Sequence, residues 1–161
     1  MGKDGTLRVG AKAPAFRLAG SGGREVALKD FLGRKNVVLY FYPKDNTPGC
    51  TVEACDFRDA SRHFEKHDTV ILGVSRDSRE SHDGFSTRHR LPFPLLSDPD
   101  ASLSKAYGVF GMKKFMGREF LGIHRTTFVI DKKGTIRGVF PRVKVKAHAD
   151  EVLGFVRAEL V

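Results

Sequence analysis

The sequence predicts an α/β fold in which a central mixed sheet is flanked by helices. Three patterns predict this class: a strand–helix–strand unit over residues 36–75, a strand–turn–strand pair over residues 126–140, and an amphipathic segment close to the C-terminus. The 161 residues are 40% hydrophobic and 29% charged, which is typical of one globular domain with its own core. No repeat or linker-like stretch divides the chain, so we expect a single domain over residues 1–161.

The first elements are short, and the first long strand follows them. Short apolar pieces among glycines in residues 7–33 predict strands or hairpins that cover an edge of the sheet. The run from Asn36 to Tyr42 consists, after the asparagine, mainly of β-branched and aromatic residues. Such a run predicts a strand that is buried on both faces, and Pro43 ends it.

A helix is predicted directly after this strand. Thr47 at the N-cap position and Pro48 at the first helical position form a start signal. Apolar residues at helical spacing continue the helix to His67. Thr69 to Ser75 then predicts a second buried strand. Because a helix joins the two strands, we expect a parallel pair with a right-handed crossover.

The second half of the chain alternates again between helices and strands. Residues 78–90 predict a polar helix, residues 91–96 lead into a short strand, and residues 103–107 predict a brief helix. A turn at residues 131–134 joins two strands of an antiparallel hairpin. A terminal amphipathic helix is predicted over residues 149–160. This order is typical of a thioredoxin-like fold with N-terminal β additions, and fold alone leaves function open.

The net charge of +9 is concentrated in one segment. Residues 101–148 carry 11 Lys and Arg against 2 Asp and Glu. A basic surface of this kind can bind nucleic acid or an acidic protein, or it can simply be solvated. The segment has neither the interleaved aromatics of an RNA-binding sheet nor zinc-finger spacing, so we expect no nucleic-acid binding.

Membrane insertion and secretion are both disfavoured by the sequence. The longest apolar run, Val37 to Tyr42, has six residues, whereas a membrane-spanning helix needs about 20. The segment Met1 to Gly5 has no apolar stretch behind its charge, so we expect no signal peptide and a cytoplasmic location.

Cys50 and Cys55 are the two cysteines of the chain. Two are too few for a disulfide scaffold, and no histidines stand at zinc-site spacing, so either redox chemistry or two inert thiols remain. Cys50 falls in the first turn of the predicted helix, where free amides and the macrodipole favour a reactive thiolate. A small buried side chain beside a turn is the alternative. Five helical residues rise about 7.5 Å, so an intact helix prevents a bridge between the two sulfurs.

The segment over residues 41–55 resembles the active site of the peroxiredoxins. Pro43, Thr47 and Cys50 meet the family pattern of a proline, three residues, a threonine, two residues and a cysteine. A second cysteine five positions later is similar to the Q-type subfamily, the bacterioferritin comigratory proteins. The resemblance covers nearly the whole chain, from about residue 9 to residue 160.

The resemblance implies a thiol peroxidase that reduces hydrogen peroxide and organic hydroperoxides in antioxidant defence. Cys50 would be the peroxidatic cysteine, which attacks the peroxide and becomes a sulfenic acid. Cys55 would resolve it as an intramolecular disulfide. Thr47 would hydrogen-bond the thiolate and the peroxide, Pro43 would shield the sulfur from water, and Arg125 would hold its guanidinium against the thiolate.

The resemblance also implies a protein reductant, and it implies that the enzyme needs neither a cofactor nor a metal. We expect no cofactor and no metal, recycling by thioredoxin or a similar dithiol protein, and a monomer. Glu53 is interpreted as a cap and dipole partner rather than an acid catalyst, and His124 as a structural residue. A thioredoxin-type oxidoreductase is disfavoured because four residues, not two, separate the cysteines. A basic binding module on the same fold remains the alternative from another class.

Overall fold

A five-stranded mixed sheet forms the centre of the structure, a computed structural model that describes residues 5–160. Residues 1–4, on which most of the signal-peptide prediction rests, and Val161 lie outside the described residues. In chain order the elements are β1 (Arg17–Ala19), β2 (Glu25–Ala27), β3 (Asn36–Phe41), α1 (Pro48–Glu65), β4 (Thr69–Ser75), α2 (Arg79–His89), β5 (Leu95–Ser97), α3 (Ser102–Ala106), β6 (Phe110–Phe115), β7 (Arg118–Ile123), β8 (Thr126–Ile130), β9 (Ile136–Phe140) and α4 (His148–Glu159).

The strand order of the central sheet is β5-β4-β3-β8-β9. Strand β3 runs parallel to β4 and antiparallel to β8, and β8 and β9 form an antiparallel pair. The predicted strand–helix–strand unit and the predicted hairpin are therefore both confirmed. Strands β1 and β2 pair with each other in a separate antiparallel sheet, as expected for the N-terminal additions.

Both faces of the sheet are covered by hydrophobic clusters. Side chains alternate along β3, because successive Cβ atoms of a strand point to opposite faces. Val38 and Tyr40 belong to the cluster that includes α1 and α4, whereas Val37 and Leu39 belong to the cluster on the other face. Every residue of β3 is buried, which confirms the prediction of a strand buried on both faces. A short loop joins the carboxyl end of β3 to the start of α1.

The hairpin of β6 and β7 was not predicted from the sequence. Its strands pair antiparallel from Phe110↔Ile123 to Phe115↔Arg118, and Met116 and Gly117 turn the chain with φ of 51° and 78°. Positive φ at both turn positions matches a two-residue hairpin turn. Most of the hairpin is exposed on both faces, so the alternation of apolar and polar residues that marks a half-buried strand is absent.

No helix among the described residues has the length and the apolar character that a membrane span requires.

Candidate active site

Cys50 lies where the central sheet meets a helix. It is the third residue of α1, just beyond the carboxyl end of β3, and it is 1% exposed. Thr47 takes extended dihedral angles at the N-cap position and Pro48 follows as the first helical residue, as the start signal predicts. The thiol is therefore held in the first turn, where unpaired backbone amides and the helix dipole favour a negative charge.

Arg125 contacts the sulfur of Cys50 from the opposite side of the site. Its Nη2 donates to Cys50 Sγ at 3.2 Å, although the two residues are 75 positions apart. Arg125 lies between β7 and β8, and β8 pairs with β3 in the sheet, so the end of β3 and the start of β8 meet at one edge. A fixed cation at this distance favours the thiolate over the thiol.

Glu53 holds the same guanidinium, and its predicted role as a helix cap is wrong. Arg125 Nη1 donates to Glu53 Oε1 at 2.6 Å, and the Glu53 side chain is 1% exposed. Positions 50 and 53 share one face of a helix, so Glu53 points inward with Cys50 and not toward the helix terminus. Burial raises the pKa of Glu53 to about 7, although Arg125 acts in the opposite direction.

Thr47 directly precedes α1, and Pro43 lies in the loop between β3 and α1. The Thr47 hydroxyl donates to the carbonyl oxygen of Lys44 at 2.8 Å and does not cap α1. Because a hydroxyl has a single proton, the oxygen of Thr47 is then free only to accept a hydrogen bond. Pro43 is half-buried directly after β3. The contacts predicted for Thr47 and Pro43 with the thiolate stay predictions.

Cys55 lies one and a half turns further along α1. Both cysteines are free thiols, and α1 runs through both positions without a break. Cys55 is half-buried, and its Sγ lies 3.8 Å from Nδ1 of His89 at the end of α2. The structure therefore places the two thiols on one helix, with different neighbours: Arg125 beside Cys50, and His89 beside Cys55.

A buried polar network supports the loop that leads to Cys50. Asp45 Oδ2 lies 2.7 Å from Nδ1 of His82, and Asp45 Oδ1 accepts from the Tyr42 hydroxyl at 2.6 Å. The His82 Nε2 donates to the carbonyl of Leu96 at 3.0 Å. Burial opposes ionisation of Asp45, but the hydrogen bonds from His82 and Tyr42 outweigh it and lower the pKa of this carboxyl. The network ties the loop after β3 to α2 and β5.

Sequence reasoning did not single out this network. Asp45 is one of several polar residues in its loop, and His82 lies in a helix that reads as uniformly polar. The one sequence signal that could have drawn attention to Asp45 is its place in the loop that follows a buried strand. The complete burial of both side chains is a product of how α2 packs, which the helix pattern alone does not show.

The same network contains the one grouping of possible metal ligands found among residues 5–160. Ligand atoms of Asp45, Asp77 and His82 lie within 4.8 Å of one another. Both ring nitrogens of His82 already face protein acceptors, and Asp77 Oδ2 accepts from the amide of Asp45 at 2.8 Å. Because these atoms are engaged with each other and with their neighbours, the donor set serves as internal hydrogen bonding rather than as a metal centre.

Comparison with known proteins agrees with this geometry. The model of the AhpC/TSA family matches residues 9–139. The chain is 51% identical over 148 residues to Peroxiredoxin Bcp of Bacillus subtilis (strain 168), with 92% of this chain and 94% of that protein covered. It is 43% identical over 151 residues to Peroxiredoxin Bcp of Escherichia coli (strain K12), with 94% and 96% covered.

Solved structures give the same result for the fold. A structure of Xylella fastidiosa PrxQ superposes with a TM-score of 0.89 at 39% identity, with 94% of this chain and 96% of that chain covered. A structure of the Xanthomonas campestris bacterioferritin comigratory protein, studied for its alkyl peroxide reduction activity, superposes with a TM-score of 0.86 at 42% identity, with 91% and 92% covered. The architecture is thus the thioredoxin-like fold of these proteins.

Proposed function

The chain belongs to the AhpC/TSA family and is a thiol peroxidase of the peroxiredoxin type, and from this premise we propose that Cys50 is the residue that attacks the peroxide. One observation carries the proposal. The sulfur of Cys50 lies in the first turn of α1 with Nη2 of Arg125 at 3.2 Å. A helix terminus and a fixed cation together favour the thiolate, which is the nucleophilic form of cysteine.

In the first step, the thiolate of Cys50 attacks one oxygen of a hydroperoxide. The S–O bond forms while the O–O bond breaks, so the sulfur becomes a sulfenic acid and the other oxygen leaves with the electron pair. That oxygen takes a proton and departs as water or an alcohol. Arg125 stabilises the charge that develops on the leaving oxygen, because its guanidinium is already oriented before the reaction. Glu53 holds this orientation through the other terminal nitrogen.

In the second step, Cys55 resolves the sulfenic acid as an intramolecular disulfide. The unbroken helix between the two cysteines means that the first turn of α1 has to unwind before the two sulfurs can meet. A dithiol protein of the thioredoxin type then reduces the disulfide by thiol–disulfide exchange. The substrate class is hydroperoxides, both hydrogen peroxide and the organic kind that the Xanthomonas relative is described as reducing.

Three further features belong to this proposal. The enzyme is proposed to work as a monomer, since Cys50, Arg125 and Glu53 contact one another without a residue from a second copy. Residues 1–161 form a single domain, since both hydrophobic clusters share one central sheet. The enzyme is proposed to act in the cytoplasm, where proteins of the thioredoxin type keep thiols reduced and could recycle the disulfide.

A coupled assay with thioredoxin, thioredoxin reductase and hydrogen peroxide tests the proposal. Cys50→Ser is expected to abolish turnover while the circular dichroism spectrum stays that of the parent protein. Cys55→Ser is expected to react once with peroxide, to stall as the sulfenic acid and to overoxidise readily. Peroxide turnover at the parent rate in Cys50→Ser would contradict the assignment of the nucleophile. A disulfide-linked dimer through Cys50 in the parent protein would contradict the resolving role of Cys55.

A further inference from the structure

Cys55 lies against the C-terminal end of α2, beside a histidine that is held in place. The Sγ of Cys55 is 3.8 Å from Nδ1 of His89. Arg58 Nη1 donates to the carbonyl oxygen of His89 at 2.8 Å. The ring of Phe85 packs edge-on against the imidazole, with 5.0 Å between the ring centroids. The backbone and the ring of His89 are both fixed, so the imidazole is held against the second thiol.

We propose that His89 is a catalytic residue of the second step, which accepts the proton of the Cys55 thiol. The inference rests on the proposed resolving role of Cys55. A neutral imidazole with its proton on Nε2 presents the lone pair of Nδ1 to the thiol. Removing the thiol proton creates the thiolate, which is the form that attacks.

The step balances without any added reagent. The Cys55 thiolate attacks the sulfur of the Cys50 sulfenic acid, the S–S bond forms, and the S–O bond breaks. Hydroxide leaves with the electron pair of the S–O bond and becomes water when it takes a proton. The proton that His89 removed from Cys55 is available for this purpose, so the net change is one sulfenic acid and one thiol to one disulfide and one water.

Arg58 is a charged residue that interacts with Cys55, and its Nε donates to Oδ1 of Asp59 at 3.0 Å. A guanidinium stays protonated in proteins and has no acceptor lone pair, so Arg58 cannot take the thiol proton. It can only stabilise the thiolate that His89 produces. The pKa of Arg58 is raised, first by its hydrogen bond with Asp59 and further by its interaction with Cys55. His89, whose Nδ1 lies 3.8 Å from the sulfur, is the residue in contact with this thiol that we assign as the base.

The contacts also indicate which cysteine moves. Cys55 is anchored by the bond from Arg58 to α2 and by Phe57, which is fully buried in the core. Cys50 is held by a charge contact with Arg125, and the conversion of the thiolate to a sulfenic acid weakens that contact. The first turn of α1 can therefore unwind and carry the sulfenic acid of Cys50 to the thiol of Cys55, which stays in contact with His89.

A single-turnover experiment tests this inference. Reduced protein is mixed with one equivalent of hydrogen peroxide, quenched at increasing times, and its sulfenic acid and disulfide are quantified by mass spectrometry. In His89→Asn we expect peroxide to be consumed as in the parent, and disulfide formation near pH 7 to slow on the order of 10²-fold. His63→Asn is the matched control, because His63 is exposed on α1 and its variant should behave as the parent.

The pH profile separates a base from a structural residue. At high pH, solvent hydroxide can remove the thiol proton in place of His89, and the difference between His89→Asn and the parent should close. Equal rates near pH 7 would overturn the inference, and so would a variant that stays slow at every pH. The rate of Cys55 alkylation against pH, measured in Cys50→Ser with and without His89→Asn, gives a second test that does not need the disulfide.

The same experiment distinguishes a failure of the resolving role of Cys55 from a failure of the role of His89. If the parent protein forms no disulfide between Cys50 and Cys55, the resolving role in the proposed function is wrong. If the disulfide forms equally fast with and without His89, only the role of His89 is wrong.

Discussion

Arg125 and Glu53 are joined at 2.6 Å between Nη1 and Oε1, and the carboxylate side of this pair is 1% exposed. The other terminal nitrogen of the same guanidinium lies 3.2 Å from the sulfur of Cys50. One planar side chain therefore serves two partners on one helix face, and the bond to Glu53 limits how the guanidinium can rotate away from the sulfur. If Cys50 is the nucleophile, as proposed, its reactivity depends on Glu53, a residue that holds Arg125 and has no contact with the sulfur of its own.

Removing the charge of Arg125 should destabilise both the thiolate of Cys50 and the transition state of the peroxide step. In Arg125→Met we expect slower alkylation of Cys50 near pH 7 than in the parent, and a peroxide step about 10²- to 10³-fold slower, the range for losing one preorganised donor. Alkylation rates in a Cys55→Ser background give the first quantity, and stopped-flow consumption of peroxide gives the second. Arg118→Met, an exposed change on β7, is the control. An unchanged alkylation rate would show that Arg125 does not support the thiolate.

The ionisation of Glu53 should make stability depend on pH near neutrality. Its pKa rises from 4.5 to about 7 on folding, so the native state binds more protons than the unfolded state between these values. The free energy of unfolding should therefore fall as the pH rises from about 4.5 through 7, by at most about 3 kcal/mol. Glu53→Gln should flatten this part of the profile, whereas Glu65→Gln, exposed on the same helix, should not. Urea denaturation at several pH values measures the slope, and equal slopes in both variants would contradict the prediction.

The first turn of α1 should be less protected after oxidation. The disulfide requires this turn to unwind, which breaks a few backbone hydrogen bonds worth about 1 kcal/mol each. Pro48 lacks an amide and Gly49 is conformationally permissive, so the entry to the helix is easy to remodel. Hydrogen-exchange mass spectrometry should show faster exchange over residues 50–56 in the oxidised protein. Residues 57–64 should keep their protection, because Phe57 and Phe64 are fully buried. Equal exchange over residues 50–56 in both states would count against the unwinding.

The packing of Tyr40 over Gly73 should be intolerant of a single added methyl group. A Cβ at Gly73 would lie 2.8 Å from Cζ of Tyr40 and 2.8 Å from Cδ2 of Leu95. Overpacking of this kind costs about 1–3 kcal/mol, and Gly73→Ala should lower the free energy of unfolding by that amount. Gly84→Ala is the matched control, because it lies inside α2 with open space around it and should raise stability by about 1 kcal/mol. Urea denaturation measures both, and a neutral Gly73→Ala would contradict the clash.

Buried strands and capped helices could be predicted because their signals are local. The bounds predicted for the strand Thr69–Ser75 are those that the structure shows, since a short, mostly apolar run is typical of a strand covered on both faces. The start of α1 at Pro48 followed from the Thr47–Pro48 pair, although the Thr47 hydroxyl bonds Lys44 and does not cap the helix. The hairpin of β6 and β7 was missed, because strands exposed on both faces carry no burial pattern.

The sequence by itself determined the elements of the fold other than the β6–β7 hairpin, the position of Cys50 at the start of a helix and the spacing of Cys55, because each of these depends on neighbouring residues in the chain. Only the tertiary structure decided that Glu53 faces Arg125 and that His89 faces Cys55. These pairs are 72 and 34 positions apart, and they meet because β8 pairs with β3 and because the C-terminal end of α2 contacts α1. The sequence pattern of one element predicts which of its faces is buried, but what lies against that face is set by long-range pairing and packing, which no local periodicity encodes.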